Sequence, residues 1–232
     1  MSLRVDAIDT FYGTSHILHR VSLEIADGEI YAVLGRNGAG KTTLLRSITG
    51  VNPPRVGAIL LDGVDITRLK SHHRARLGIS YVPQGREIIA DITVAENIAL
   101  ALLGKFGKAG KVPDFVFDYF PALKPLVDRK GGVLSGGQQQ QLAIARALVQ
   151  EPKLLLMDEP TEGLQPSVVE EIDTIIKRIP GERGCAVLLV EQNLDFVRDI
   201  TDKFAILDTG RIVATGAIGA LTADVVQRHL AV

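Results

Sequence analysis

The feature that most constrains this chain is an eight-residue stretch, Gly35-Arg36-Asn37-Gly38-Ala39-Gly40-Lys41-Thr42, set between an apolar run and an amphipathic one. It fits the pattern G-x-x-x-x-G-K-[ST], which binds phosphate for physical reasons. Glycines let backbone N–H groups wrap around phosphate oxygens, and the helix that follows presents its positive end to the same charge. Gly35, Asn37, Gly38, Ala39, Gly40 and Thr43 are therefore expected to cradle the phosphates of a nucleotide. Lys41 brings a cation to the β- and γ-phosphates, and the Thr42 hydroxyl is a candidate Mg²⁺ ligand. The motif needs a buried strand before it and a helix after it. The apolar run Glu29 to Leu34 and the stretch Lys41 to Thr49, stopped by Gly50 and then Pro53-Pro54, supply both.

A second motif complements the first. Leu154-Leu155-Leu156-Met157-Asp158-Glu159-Pro160 reads as an apolar strand that delivers two acids at its C-terminal end, where ligands sit in open parallel sheets. Asp158 is assigned to Mg²⁺, and Glu159 to a water that attacks the γ-phosphate.

The remaining pattern predicts an α/β fold of P-loop type. Leu3 to Ile8 and Val21 to Ile25 alternate like half-buried strands, and Ala58 to Leu61 is a short one. The middle of the chain reads as helical, from Val94 to Leu103 and from Phe115 to Leu126. Between them, Gly104-Lys105-Phe106-Gly107-Lys108-Ala109-Gly110-Lys111 reads as a solvated loop rather than an anion or nucleic-acid site. The adjacent His72 and His73 are expected to diverge on a helix and not to bind metal together. From Ser135 onward helix and strand alternate: Ser135 to Val149, Lys153 to Met157, Pro166 to Ile179, Cys185 to Val190 and Leu194 to Ile200. A hairpin, Phe204 to Leu207 and Arg211 to Ala214, closes around Asp208-Thr209-Gly210. Such alternation argues for a mainly parallel sheet covered by helices.

Composition excludes several classes. The 232 residues are 46% hydrophobic and 23% charged, which suits a folded globular chain. A net charge of −1 gives no electrostatic case for nucleic acid. The one cysteine, Cys185, lies in an apolar run and reads as a small buried side chain. No apolar run approaches the ~20 residues that span a bilayer, and no secretory leader pattern is seen. The expected location is cytoplasmic, so that work at a membrane would need another polypeptide to span it.

Leu134-Ser135-Gly136-Gly137-Gln138 matches the signature sequence of ABC ATPases and stands just before the carboxylate strand, as it does in that family. Physically, Ser135 is a helix N-cap, and the two glycines, Gly136 and Gly137, leave backbone N–H groups open as a second anion site; with Gln138 these are the signature's candidate nucleotide contacts. The resemblance covers nearly the whole chain. It implies one ABC ATPase domain over residues 1–232, with a mainly parallel core sheet, an antiparallel N-terminal β subdomain and an inserted α-helical subdomain at about 85–150. It also implies that Tyr12 stacks on adenine and that Gln84 contacts magnesium and the attacking water. In this family two cassettes meet head-to-tail, with ATP between the phosphate loop of one and the signature of the other. The implied partner is therefore a second ATPase subunit, identical or related.

Two positions depart from the family pattern. Gln192 stands where a histidine usually contacts the γ-phosphate, and is expected to act there as a sensor that does not ionise. Gln165 stands where an aspartate is usual. With Val190-Glu191-Gln192-Asn193, Pro160-Thr161-Glu162-Gly163-Leu164-Gln165-Pro166 and Tyr81-Val82-Pro83-Gln84-Gly85-Arg86-Glu87-Ile88, the chain resembles the smaller ATPase subunit of bacterial importers for branched-chain amino acids and amides. Gln138-Gln139-Gln140-Gln141 leans toward the urea importers, and a soluble ABC ATPase outside transport stays open. The resemblance implies two permease subunits, a periplasmic binding protein acting indirectly, and a place on the inner face of the plasma membrane.

Overall fold

The computed structural model describes residues 3–107 and 110–230. Strands β1 (Leu3–Tyr12), β2 (Ser15–Ile25), β4 (Val56–Leu61) and β5 (Val64–Asp65) form an antiparallel sheet in the order β2, β1, β4, β5. A second sheet holds β3 (Ile30–Leu34), β6 (Ile79–Val82), β7 (Leu154–Asp158), β8 (Ala186–Glu191), β9 (Lys203–Asp208) and β10 (Arg211–Ala217). Its order is β10, β9, β3, β8, β7, β6, and all pairs are parallel except β9 with β10. Strands β3, β7 and β8 are buried along their whole length, which is why they read as continuous apolar runs.

Helix α1 (Lys41–Thr49) lies between the two sheets. Its Leu44, Leu45 and Ile48 share a core with Ile8, Leu18 and Ile59 of the antiparallel sheet and Val33, Leu156 and Leu188 of the parallel one. The opposite face of the parallel sheet is covered by α3 (Val94–Phe106), α5 (Gly136–Leu148), α6 (Pro166–Arg183) and α7 (Leu194–Ile200). The shorter α2 (Ser71–Arg76), α4 (Phe115–Tyr119) and α8 (Ala223–His229) complete the α-helices among the described residues. None is long and apolar enough to cross a membrane.

Several elements differ from the sequence expectation. β1 and β2 run on to Tyr12 and back to Ser15, past the register shifts after Val5 that break the alternation. Helix α3 continues through Gly104 to Phe106 and is ended by Gly107 in the left-handed region. The lysine-containing loop is therefore shorter than expected, and its Lys108 and Ala109 fall outside the described residues. The expected helix Phe115 to Leu126 breaks at Phe120, because the residue before a proline disfavours the α region. A 3₁₀ turn, Pro121–Leu126, follows. Helix α6 extends past Ile179 to Arg183. The rings of His72 and His73 do not diverge: their centroids lie 4.1 Å apart.

The hairpin is as expected, and it anchors the phosphate loop. Its two-residue turn, Thr209-Gly210, has positive φ at both positions. Gly210 N donates to Ala39 O (2.9 Å), and Gly210 O accepts from His19 N (2.8 Å). A Cβ at Gly210 would lie 1.9 Å from Ile17 O, so only glycine permits this joint between the two sheets and the loop.

Candidate active site

The phosphate loop leaves β3 and enters α1, whose N-cap Gly40 is left-handed (φ 107°). Lys41 is 5% exposed. Its Nζ donates to Gly35 O (2.8 Å) and Arg36 O (3.2 Å) and stands 3.2 Å from Glu159 Oε1. The ammonium is thus held on the loop's own carbonyls and pointed at the end of β7. Three donors converge on Glu159. Besides Lys41, Gln192 Nε2 donates to Oε1 (2.7 Å), and Gln84 Nε2 makes a long bond to Oε2 (3.4 Å). Gln192 Nε2 also donates to Asn37 Oδ1 (2.8 Å), tying the phosphate loop to the end of β8.

Glu159 has φ 49°, a left-handed conformation that costs a non-glycine residue ~1–3 kcal/mol. Its backbone N–H donates to Val190 O (2.9 Å), which holds the turn in place. The strain aims the carboxylate across the C-terminal edge of the sheet toward Lys41.

Asp158, 2% exposed, ends β7 beneath α1. Thr42 Oγ1 donates to its Oδ1 (3.2 Å) and Tyr81 OH to its Oδ2 (3.0 Å). Burial raises the Asp158 pKa, opposed by these two hydrogen bonds. Burial beside Asp158 also raises the Tyr81 phenol above its ordinary range. A hydroxyl and a carboxylate are hard oxygen donors. Mg²⁺ uses few protein ligands and completes its shell with water and phosphate. The pair fits that ion, and among the described residues no group of three or more His, Cys, Asp or Glu forms a protein-only cage.

Glu191 carries a role that motif reading passed over. It is 3% exposed, and its carboxylate accepts four donors: Thr161 Oγ1 (2.6 Å), Thr161 N (3.0 Å), Gln192 N (2.8 Å) and Asn193 N (3.2 Å). It pins the loop after β7 to the turn after β8, and so fixes Glu159 and Gln192 relative to one another. A glutamate at the end of an apolar strand, followed by an Asn N-cap, was the available signal. Tyr81 and Glu162, the latter 3.0 Å from Gln84 Nε2, had none.

Asn37, Gly38, Gly40, Lys41, Thr42, Thr43, Gln84 and Glu159 line one open cleft of about 350 Å³, joined by Ile17. Gln84 bonds to Glu159 and Glu162 rather than to Thr42 or Asp158. Tyr12 ends β1, 43% exposed, and accepts from Arg46 Nη1 of α1 (3.3 Å). The signature lies elsewhere. Ser135 caps α5 with a capping box: Gln138 N donates to Ser135 Oγ (3.3 Å), and Ser135 N donates to Gln138 Oε1 (3.0 Å). None of Ser135, Gly136, Gly137 and Gln138 lines the Lys41 cleft.

A phosphate loop, a buried carboxylate under its helix and a second carboxylate facing its lysine define a P-loop nucleoside-triphosphatase. The ABC transporter family pattern matches residues 18–162, more than half of the chain, and the chain belongs to that family. It is 41% identical to the high-affinity branched-chain amino acid transport ATP-binding protein BraG of Pseudomonas aeruginosa, over 93% of each chain. It is 38% identical to the probable branched-chain amino acid transport ATP-binding protein LivF of Archaeoglobus fulgidus, over 94% of this chain and 93% of that one. Among solved structures, an ATP-binding cassette of an ABC transporter in its ADP conformation superposes with TM-score 0.82 at 29% identity, covering 96% and 95%. A dimeric cassette in a post-hydrolysis state with ADP and phosphate gives 0.82 at 26%, covering 93% and 98%. As an ABC ATPase the chain binds and hydrolyses ATP, and such subunits dimerise and work with transmembrane permease components.

Proposed function

We propose that this chain is the motor of an importer for branched-chain amino acids, working as one of two cassettes beneath two permease subunits on the cytoplasmic face of the membrane. The names of the BraG and LivF relatives, each matched over more than nine-tenths of its length, support the solute class. A periplasmic binding protein would deliver the solute. Residues 1–232 act as one ABC ATPase domain with its helical subdomain at about 85–150, and the helical region from Gly85 to Gly132 meets a cytoplasmic helix of the permease.

The convergence of Lys41, Gln192 and Gln84 on Glu159 carries the mechanism. ATP enters the cleft with its triphosphate wrapped by the backbone N–H groups of residues 35–43 and its adenine against Tyr12. The γ-phosphate draws the Lys41 ammonium from Glu159 Oε1, freeing that oxygen to accept a proton from the attacking water. Gln84 orients the same water. Gln192, already bound to both Asn37 and Glu159, turns its amide to the γ-phosphate and registers its presence without a change of charge. Thr42 and Asp158 would hold Mg²⁺, which would neutralise charge developing on the phosphate oxygens. The N–H groups of Gly136 and Gly137 and the Ser135 hydroxyl bind the γ-phosphate presented by the other cassette. ATP therefore favours the closed pair, and loss of phosphate opens it.

The test is hydrolysis by the assembled transporter. Glu159→Gln is expected to lower kcat by about a thousandfold with nucleotide still retained. Hydrolysis at the parental rate would remove Glu159 from the chemistry.

A further inference from the structure

Side chains alternate between the two faces of a strand, and β6 and β7 run parallel with Tyr81 opposite Leu156. Both pack on the face covered by α1, and Asp158, two residues beyond Leu156, lies on that face too. A phenol is long enough to cross the diagonal between the strands, and Tyr81 OH donates to Asp158 Oδ2 (3.0 Å). Thr42 Oγ1 donates to the other oxygen, Oδ1 (3.2 Å). The last torsion of an aspartate is soft, so a carboxylate held by one oxygen alone is free to swing. A donor on each oxygen fixes its plane and keeps Oδ1 on the Thr42 hydroxyl.

Tyr81 also belongs to a second site. With Pro83, Leu100 of α3 and Ala143, Arg146 and Ala147 of α5 it lines a groove of about 260 Å³. Leu100 belongs to the helical region proposed to meet the permease and is 45% exposed. Arg146 Nε is buried without a hydrogen-bond partner among the described residues. The groove thus offers an uncovered apolar side chain and an unsatisfied donor to a partner. Its floor is soft: β6 has four residues and is the edge strand of the parallel sheet, and a short edge strand has few bonds to hold it.

We infer that Tyr81 is a positioning residue that couples permease docking to Mg²⁺ binding: its hydroxyl holds the Asp158 carboxylate in line with Thr42, and a permease segment seated in the groove shifts the strand that carries it. This rests on the readings of Thr42 and Asp158 as Mg²⁺ ligands and of the helical region as the permease contact. One residue touches both sites, so the coupling needs no longer path. By linkage, whatever the permease does to Mg²⁺ affinity, Mg²⁺ does to the affinity for the permease.

The experiment places Tyr81→Phe and Asp158→Asn separately in a Glu159→Gln parent, so that nucleotide is not consumed. ATP is titrated into the isolated chain and into the assembled transporter, with Mg²⁺ and with EDTA, and the readout is the factor by which Mg²⁺ tightens ATP binding. In the isolated chain Tyr81→Phe is expected to lower that factor about fivefold, with affinity in EDTA at the parental value, since one donor to a charged oxygen is lost. Assembly with the permease is expected to change the factor about fivefold in the parent and to leave it unchanged in Tyr81→Phe. A parental factor in isolated Tyr81→Phe, with Asp158→Asn lowered, overturns the positioning role and leaves the Mg²⁺ site standing. A parental factor in Asp158→Asn overturns the reading of that site and the inference with it. Weaker binding of Tyr81→Phe in EDTA assigns the phenol to the shape of the cleft and overturns the inference. A permease effect that is absent from the parent, or that survives Tyr81→Phe, overturns it as well.

Discussion

The two anion-binding regions of this chain are built on opposite principles. Around the phosphate loop, side chains from α1, β6, the end of β7 and the turns after β3, β7 and β8 interlock: Lys41 with Glu159, Glu159 with Gln192, Gln192 with Asn37, Thr42 and Tyr81 with Asp158. The signature has only its own capping box and two glycines at a helix end. On the proposed function, the first region positions, activates and senses, and the second offers a sparse set of donors to a phosphate brought to it. On that reading a cassette holds one catalytic site lacking a lid, and one lid lacking a catalytic site.

The largest effects should separate these regions by readout. Lys41→Ala is expected to weaken ATP binding to the isolated chain on the order of a hundredfold, since a charge-assisted contact to phosphate is lost. Ser135→Ala should change that affinity less than twofold and lower only the turnover of the assembled transporter. Titration of a fluorescent ATP analogue into each variant decides this; equal losses would erase the distinction.

Next in size is Glu191→Gln. Four donors surround a buried carboxylate, and neutralising it weakens charge-assisted bonds and sets an amide N–H against N–H donors. A loss of about 2–4 kcal/mol in denaturant unfolding is expected, together with lowered turnover. An unchanged midpoint would mean that the β7 and β8 turns hold themselves.

The signature gives a smaller structural effect of its own. A Cβ at Gly137 would lie 2.6 Å from Val168 Cγ1 of α6, so Gly137→Ala should cost about 1–3 kcal/mol through overpacking. Adding Val168→Ala should restore stability. If it also restores turnover, Gly137 is there for packing against α6; if turnover stays low, the alanine disturbs the N–H cradle itself.

The smallest effect on stability concerns pH. The Asp158 pKa is raised by burial, so the folded state holds its proton more tightly than the unfolded one. Its contribution to stability is greatest in acid and is lost as pH rises from the ordinary carboxylate value through the raised one. Asp158→Asn should therefore flatten that part of the stability–pH curve and slightly raise the unfolding midpoint at neutral pH, while abolishing Mg²⁺-dependent turnover. A variant less stable at neutral pH would show that the Thr42 and Tyr81 bonds outweigh the burial.

How far this was legible in the sequence follows from where the signal lives. Gly35 to Thr42, the acids after β7 and the Ser135 cap are local: their residues are contiguous, and their physics acts within one turn of chain. The bounds of helix α2 were not legible, although His72 and His73 were placed on a helix, because its buried residue is Arg74, fully enclosed. Its guanidinium donates to Leu69 O, Ser47 O, Ile48 O and Thr67 O, capping the end of α1. A helix whose inward face is an arginine has no apolar period to detect. Strand β6 has four residues and becomes a strand by lying beside β7. Tyr81 and Glu191 act through partners 77 and 30 positions away, which no local pattern records. The opposite error arose at Gly104, where a glycine read as a helix end is carried inside α3 by the apolar face before it.

The most direct measurement is a structure of the assembled transporter carrying Glu159→Gln, with Mg²⁺ and ATP. Ser135 Oγ and the Gly137 N–H are expected about 3 Å from the γ-phosphate of the nucleotide that the opposite cassette holds on its own phosphate-loop lysine. ATP seated on Lys41 with Ser135 still facing solvent, in a closed pair of cassettes, would contradict the division of labour between the two regions.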